Sequence, residues 1–240
     1  MLWYCSKQGS LAPPSTTRPM HTTMSATKLT SALALSAALL AGCGGGGGDP
    51  AAEGPIQPVF NVEAALADLF RTKGEFELAG RDPLGNPLRR IYSFVPGVPA
   101  DPRVGNTLAT RVEEWSPDWP DQRNRTIYYY TVNPFRLVAR TLSSSSIMYY
   151  TQTAEIPTGA AVGSGFGFAE GQEPQGSQLE RVRWDVREAD ASGTAWVCLE
   201  NAQIRSGSFL CTLARPEGTV PRRRAGGWSI GSSYDLQSPP

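Results

Sequence analysis

Histidine is almost missing from this chain: His21 is the only one among 240 residues. Lysine is nearly as scarce, with Lys7, Lys28 and Lys73 set against 19 arginines. From residue 43 onward the chain carries no histidine, one lysine and a net charge of −3, from 19 basic and 22 acidic residues. These absences exclude chemistry from that part. A Ser-His-Asp triad, a Cys-His pair and histidine-based zinc or copper sites need a ring the chain does not supply. A Ser-Lys dyad would have to use Lys73, at the end of a helix, where its charge instead favours the helix dipole. A small negative net charge gives nucleic acid no electrostatic footing as a partner. No apolar run reaches the ~18 residues of a membrane-spanning helix. Cysteine is sparse as well, at positions 5, 43, 198 and 211.

What is present begins with a charge followed by an apolar stretch. Lys28 precedes Leu29 to Gly42, fourteen uncharged residues rich in Leu and Ala that end in small side chains. Too short to span a bilayer, this is the secretory pattern. Its end, Leu40-Ala41-Gly42-Cys43, resembles a bacterial lipobox. The resemblance implies export, acylation of Cys43 and cleavage before it, with three acyl chains on the mature N-terminus. One chain binds membranes only marginally, so three imply permanent attachment. In that family an aspartate after the cysteine favours the inner membrane; Gly44 stands there, which implies the outer membrane, lipid-anchored on its periplasmic face. Residues 24–42 are then the signal peptide, starting at Met24 or Met20, and residues 1–23 a preface without fold. Residues 43–58, with Gly44 to Gly48 and a Pro/Ala/Gly-rich continuation, read as a tether with an r.m.s. reach of roughly 20 Å.

Residues 59–240 are long enough for one domain with a real core. Asn61 caps a helix in which Val62, Leu66, Leu69 and Phe70 recur at helical spacing, ending at Lys73-Gly74. Period-two alternation follows. Glu75 to Leu78 and Leu88 to Phe94 form a hairpin around Asp82 to Pro87. Further strands are expected at Thr107 to Trp115, Thr126 to Val132, Phe135 to Thr141, Ile147 to Thr153, Leu179 to Arg187, Thr194 to Leu199, Ser208 to Leu213 and Trp228 to Tyr234. Val182, Trp184 and Val186 should face inward, with Arg181, Arg183, Asp185 and Arg187 in water. Asn133-Pro134-Phe135 reads as a turn, and Ala154 to Gly176 as a long glycine-rich loop. The expected fold is mainly β, an antiparallel sandwich or barrel with one N-terminal helix. In an oxidising compartment Cys198 and Cys211 should pair, stapling a hairpin that turns around Arg205 to Ser208. Phe60-Asn61-Val62-Glu63-Ala64-Ala65, Val132-Asn133-Pro134-Phe135 and Thr194-Ala195-Trp196-Val197-Cys198 resemble segments of small β-rich proteobacterial lipoproteins. That resemblance implies no active site, because those proteins have no assigned function.

Carboxylate chemistry is what the composition leaves open. Glu113, Glu114, Asp118 and Asp121 cluster near Trp115 and Trp119, the ingredients of glycoside hydrolysis, although solvated loop charges are the plainer reading of acidic residues beside tryptophans in a Pro-rich stretch. Tyr128-Tyr129-Tyr130 and Tyr149-Tyr150 put aromatics on both faces of two strands. Trp115, Trp119, Tyr128, Tyr130 and Tyr149 are therefore candidates for stacking on a ligand, against ordinary core packing. Asp118, Asp121 and Asn124 do not have the spacing of a calcium loop, and Gly163 to Gly167 lacks the lysine and helix of a phosphate loop. We expect no metal and no cofactor. Arg222-Arg223-Arg224 reads as a solvated basic loop, with pairing to envelope phosphates or carboxylates as the sharper alternative. The function expected is a non-catalytic binding or scaffolding module with an envelope protein or glycan as partner; the alternatives are a carbohydrate hydrolase and a carrier of a small apolar ligand. Cys43→Ser should abolish incorporation of metabolic palmitate label, and label persisting on the variant would contradict the lipobox.

Overall fold

The computed structural model describes residues 57–142, 146–172, 179–230 and 232–239. The expected signal peptide, Cys43 and most of the expected tether lie outside them. One helix, α1 (Val62–Arg71), precedes twelve strands: β1 (Gly74–Arg81), β2 (Pro87–Pro96), β3 (Leu108–Ser116), β4 (Trp119–Val132), β5 (Phe135–Thr141), β6 (Ile147–Gln152), β7 (Gly165–Gln172), β8 (Leu179–Glu188), β9 (Ala195–Ala202), β10 (Ser206–Arg215), β11 (Gly218–Ser229) and β12 (Ser232–Gln237). Each strand pairs with its neighbours in sequence, and β1 pairs with β12 from Ala79↔Gln237 to Arg81↔Asp235. The result is a closed antiparallel barrel rather than a sandwich. Closure leaves no exposed sheet edge along the seam.

The helix plugs one end. Asn61 Oδ1 accepts from the Ala64 N–H at 2.9 Å, satisfying one of the free donors of the first turn. Val62, Ala65, Leu66, Leu69 and Phe70 are buried in the main core with strand residues such as Leu78, Phe94, Leu137 and Val197. The Phe70 ring lies 5.0 Å from Tyr128 and 5.3 Å from Tyr130, centroid to centroid. Polar contacts fix the helix on three sides. Thr110 Oγ1 donates to the Phe70 carbonyl at 2.7 Å, Glu63 accepts from the Phe135 N–H at 2.8 Å, and Asp68 accepts from Thr219 Oγ1 at 2.9 Å. Thr110, Phe135 and Thr219 belong to the same end of the barrel, the one with the β4–β5 and β10–β11 turns.

Three expectations change. The glycine-rich stretch holds a strand, β7, where a loop was expected. Gly171 is needed for close approach: a Cβ there would sit 2.7 Å from the Tyr150 ring and 2.8 Å from Met148 Sδ. Second, Trp228 to Tyr234 is a reversal between β11 and β12 rather than one strand. Third, Arg222-Arg223-Arg224 lies within β11 and is not a solvated loop. Strand alternation turns its middle residue inward, so Arg223 is 2 % exposed while its neighbours pack outside, Arg222 over Trp196 and Arg224 against Asp235. The inward set Val182, Trp184 and Val186 is as expected. So is the turn at Asn133-Pro134, whose peptide bond is cis.

Cys198 and Cys211 lie directly opposite each other on β9 and β10 and are disulfide-bonded, with Cα atoms 4.0 Å apart. They face outward, under a small cluster with Trp196 and Leu213. The hairpin they staple turns at residues 203–206, where the Gln203 N–H donates to the Ser206 carbonyl at 2.7 Å. The bond closes a separation of 13 residues, worth about 3 kcal/mol in the chain-entropy account. The double variant Cys198→Ala/Cys211→Ala should lose about 2–3 kcal/mol of unfolding free energy in urea titration; an unchanged midpoint would contradict this.

Candidate functional site

The barrel interior divides along its axis. Next to the helix it is filled by aromatic and aliphatic side chains, and towards the opposite end, the mouth, its inward positions become polar. Tyr92, Glu114, Asn124, Thr126, Tyr128, Arg140, Asn201, Ser208 and Tyr234 line a chamber of about 160 Å³. At roughly 30 Å³ per water this is room for about five waters or a small polar ring.

Two carboxylates face the interior from different walls. Glu180, 1 % exposed, is bound on several sides. Arg140 Nε donates to it at 3.0 Å and to the Tyr150 hydroxyl oxygen at 2.9 Å; a second guanidinium nitrogen and the Tyr150 hydroxyl also donate to Glu180, and Gln203 Nε2 adds a contact at 3.2 Å. Burial works against the charge of Arg140, but the bond to Glu180 outweighs it and raises the guanidinium pKa. Glu114 is less well compensated. Burial pushes its pKa up, opposed by the hydrogen bond from the Tyr92 hydroxyl and by the charge of Arg90, whose Nε lies 3.5 Å away. Tyr92 is also hydrogen-bonded to Tyr234, and its own pKa is raised chiefly by burial and by Glu114. Between the two clusters the Tyr128 hydroxyl is hydrogen-bonded to Asn201. Asn201 is 8 % exposed, and its Oδ1 has no partner among the described residues. The Trp184 Nε1, also buried and facing inward, has none either. A buried polar atom left without a partner costs about 1–3 kcal/mol.

Of the residues singled out from sequence, Glu114 and Tyr128 line the chamber and Glu114, Trp115, Asp118 and Trp119 border a groove at its rim, whereas Glu113, Tyr130 and Tyr149 lie apart from both. Glu113 and Glu114 are consecutive in β3 and so point to opposite faces, which removes them as a facing pair. Glu113 sits outside among Arg111, Arg123 and Arg125 at 3.2, 3.3 and 2.8 Å. Burial raises its pKa, but the bonds from Arg123 and Arg125 and the positive charges prevail and hold it low. Trp115 is covered by the Arg123 guanidinium, 4.2 Å from its ring centroid. Trp119 stands at the tip of the β3–β4 hairpin, 64 % exposed, with Asp118 and Asp121 beside it. Tyr128 and Tyr130 are buried inside the barrel, while Tyr149 lies outside at 45 % exposure. No shared stacking surface results.

Glu180, Arg140, Asn201, Tyr92 and Tyr234 were not singled out. One signal was available: Glu180 falls on the inward period of Val182, Trp184 and Val186, so a carboxylate was due to be buried there. Arg223 is a further inward charge, near the plugged end. Its guanidinium lies 4.8 Å from the Phe76 centroid and 5.6 Å from that of Phe94, and donates to Thr212 Oγ1 at 2.6 Å. Burial lowers its pKa to about 10, with the charge of Asp68 opposing.

No protein-family model, curated protein or solved structure matches the chain. Among the described residues no group of acidic and cysteine side chains is placed to hold a metal ion.

The raised pKa of Glu114 has a pH consequence. The folded state holds its proton more tightly than the unfolded chain, so the stabilisation is complete below the ordinary carboxylate pKa of 4.5 and is lost as pH rises through the folded value. Glu114→Gln should therefore gain stability over the wild type at pH 7 and lose that advantage below pH 4.5 in urea titrations. An advantage that grew on acidification would reverse the sign of this account.

Proposed function

We propose that this protein is a non-catalytic binding lipoprotein of the bacterial envelope, tethered through Cys43 to the periplasmic face of the outer membrane. Its barrel mouth takes the polar part of a small ligand. The observation that carries the reading is the mouth chamber of about 160 Å³, in which Glu114, Arg140, Asn201 and the hydroxyls of Tyr92, Thr126, Tyr128, Ser208 and Tyr234 are brought together beside Val112 and Leu210. A ligand seated there would meet Glu114 as an acceptor and Arg140 as a donor along its polar edge, with Asn201 in the wall beside them.

Two further observations favour this over the alternatives. A carrier of an apolar molecule needs an empty apolar interior, and here the apolar half is occupied by α1, Tyr130, Phe135 and Leu199. A barrel that crossed the membrane by its strands would need an apolar outer band. Its outer wall instead bears ion pairs on several strands: Arg89 with Glu77, Glu113 with its three arginines, Arg181 with Glu170, Arg187 with Asp185 and Glu200, and Arg224 with Asp235. At about 2–4 kcal/mol for each arginine facing mid-bilayer, such a wall belongs in water, and attachment falls to the lipid.

The test is a thermal-shift survey of the purified protein against hydrogen-bonding solutes (monosaccharides, polyols, amino acids) and against fatty acids. At least one polar solute should raise the melting temperature of the wild type and not that of Asn201→Leu. Protection by fatty acids that Asn201→Leu retains would point to an apolar site and defeat the proposal.

A further inference from the structure

The chamber does not end at the barrel rim. β4 first meets β5 at Tyr128↔Arg140, whereas its pairing with β3 continues through Glu114↔Asn124 to Ser116↔Trp119. Residues before Tyr128 thus have a strand neighbour on one side only and form a lip beyond the main wall. Along this lip runs a groove of about 470 Å³ whose lining includes Glu114, Trp115, Trp119, Gln122, Arg123 and Asn124. Glu114 and Asn124 line the chamber as well, so the two hollows share a wall. At the outer end of the groove Trp119 offers a mostly uncovered ring. Arg123, stacked on Trp115 and bonded to Glu113, presents a fixed planar donor beside it.

We propose that chamber and groove are two subsites for the end of a saccharide chain, the terminal ring entering the chamber and the next ring lying on Trp119. The proposal rests on the reading of the chamber as a polar binding site and names the ligand class. The chamber asks for a compact group that donates and accepts around its edge: Glu114 accepts, Arg140 donates, the hydroxyls of Tyr92, Tyr128, Thr126 and Ser208 can do either, and Asn201 stands in the same wall. The lip asks for a second unit with an apolar face and polar edges, to stack on an indole and bond to Gln122, Arg123 and Asn124. A sugar ring meets both requests; a fatty chain meets neither. Recognition of an end follows from the plug. Beneath the chamber the interior is filled down to Phe70 and Tyr130, so a chain cannot thread through and only its terminus can enter.

The experiment is titration calorimetry of the full, purified chain with an array of defined saccharides, each sugar offered as mono-, di- and trisaccharide, in neutral and carboxylated forms. In at least one series the disaccharide should bind about tenfold more tightly than the monosaccharide, and the third sugar should add little. Trp119→Ala, at an exposed tip, should bring the disaccharide to the affinity of the monosaccharide and leave the monosaccharide unchanged. A cyclised oligosaccharide of the same sugar, which has no end, should not bind. The proposal is overturned if no saccharide in the array binds, if Trp119→Ala leaves the preference for the disaccharide intact, or if the cyclic form binds as well as the linear one. Asn201→Leu, with Asn201→Ser as a second variant and circular dichroism to confirm folding, separates the two levels. If either variant binds sugars like the wild type, the reading of the chamber fails; if both lose binding while Trp119→Ala changes nothing, only the lip subsite fails.

Discussion

Everything in the interior depends on the seam between β1 and β12. Three residue pairs, Ala79↔Gln237, Gly80↔Leu236 and Arg81↔Asp235, close twelve strands into a ring. The seam is tight: a Cβ on Gly80 would lie 2.3 Å from the Asp235 carbonyl oxygen, so glycine is the residue that lets the two backbones meet. On its outer side Arg224 of β11 grips Asp235 of β12 through two hydrogen bonds. Opening the ring would uncover two strand edges and release the wall that holds Tyr92 and Tyr234 beside Glu114.

Closure creates an enclosed space, and α1 decides how much of it is core. The helix supplies apolar bulk that the strands lack, since β1, β10 and β11 carry glycine, threonine and alanine at several inward positions. Burying each of its large side chains is worth about 1.5–3 kcal/mol, which offsets polar interior groups elsewhere. Those groups are treated unequally. Glu180 is met by Arg140, Tyr150 and Gln203 and belongs to a rigid network, whereas Glu114 and Asn201 keep unused capacity. On the proposed reading, a wall whose polar groups are largely held by a satisfied scaffold leaves less ordering to be done when a ligand binds.

The class of fold was legible because period-two alternation is a local signal. The strand carrying Val182, Trp184 and Val186, the helix capped by Asn61 and the cysteine-stapled hairpin all announce themselves within ten or fifteen residues. What was not legible depends on partners distant in sequence. Gly165 to Gly171 looks like a loop until the Tyr150 ring is known to lie on Gly171. Arg223 looks solvated until the strand is known to turn it onto Phe76 and Phe94. The site was missed for the same reason. Its groups come from β2, β3, β4, β5, β9, β10 and β12, single polar residues spaced too widely to form a motif, while the dense cluster of Trp and carboxylate in β3 and β4, Glu114 among it, is split between the two faces of one hairpin.

The central claim is that the polar chamber holds the ligand, and a crystal structure of the protein grown with whichever solute protects it best tests this most directly. The account predicts a ligand in the chamber against Asn201, with Glu114 and Arg140 on its edge. A chamber filled only by water, with the ligand bound elsewhere on the barrel, would contradict it.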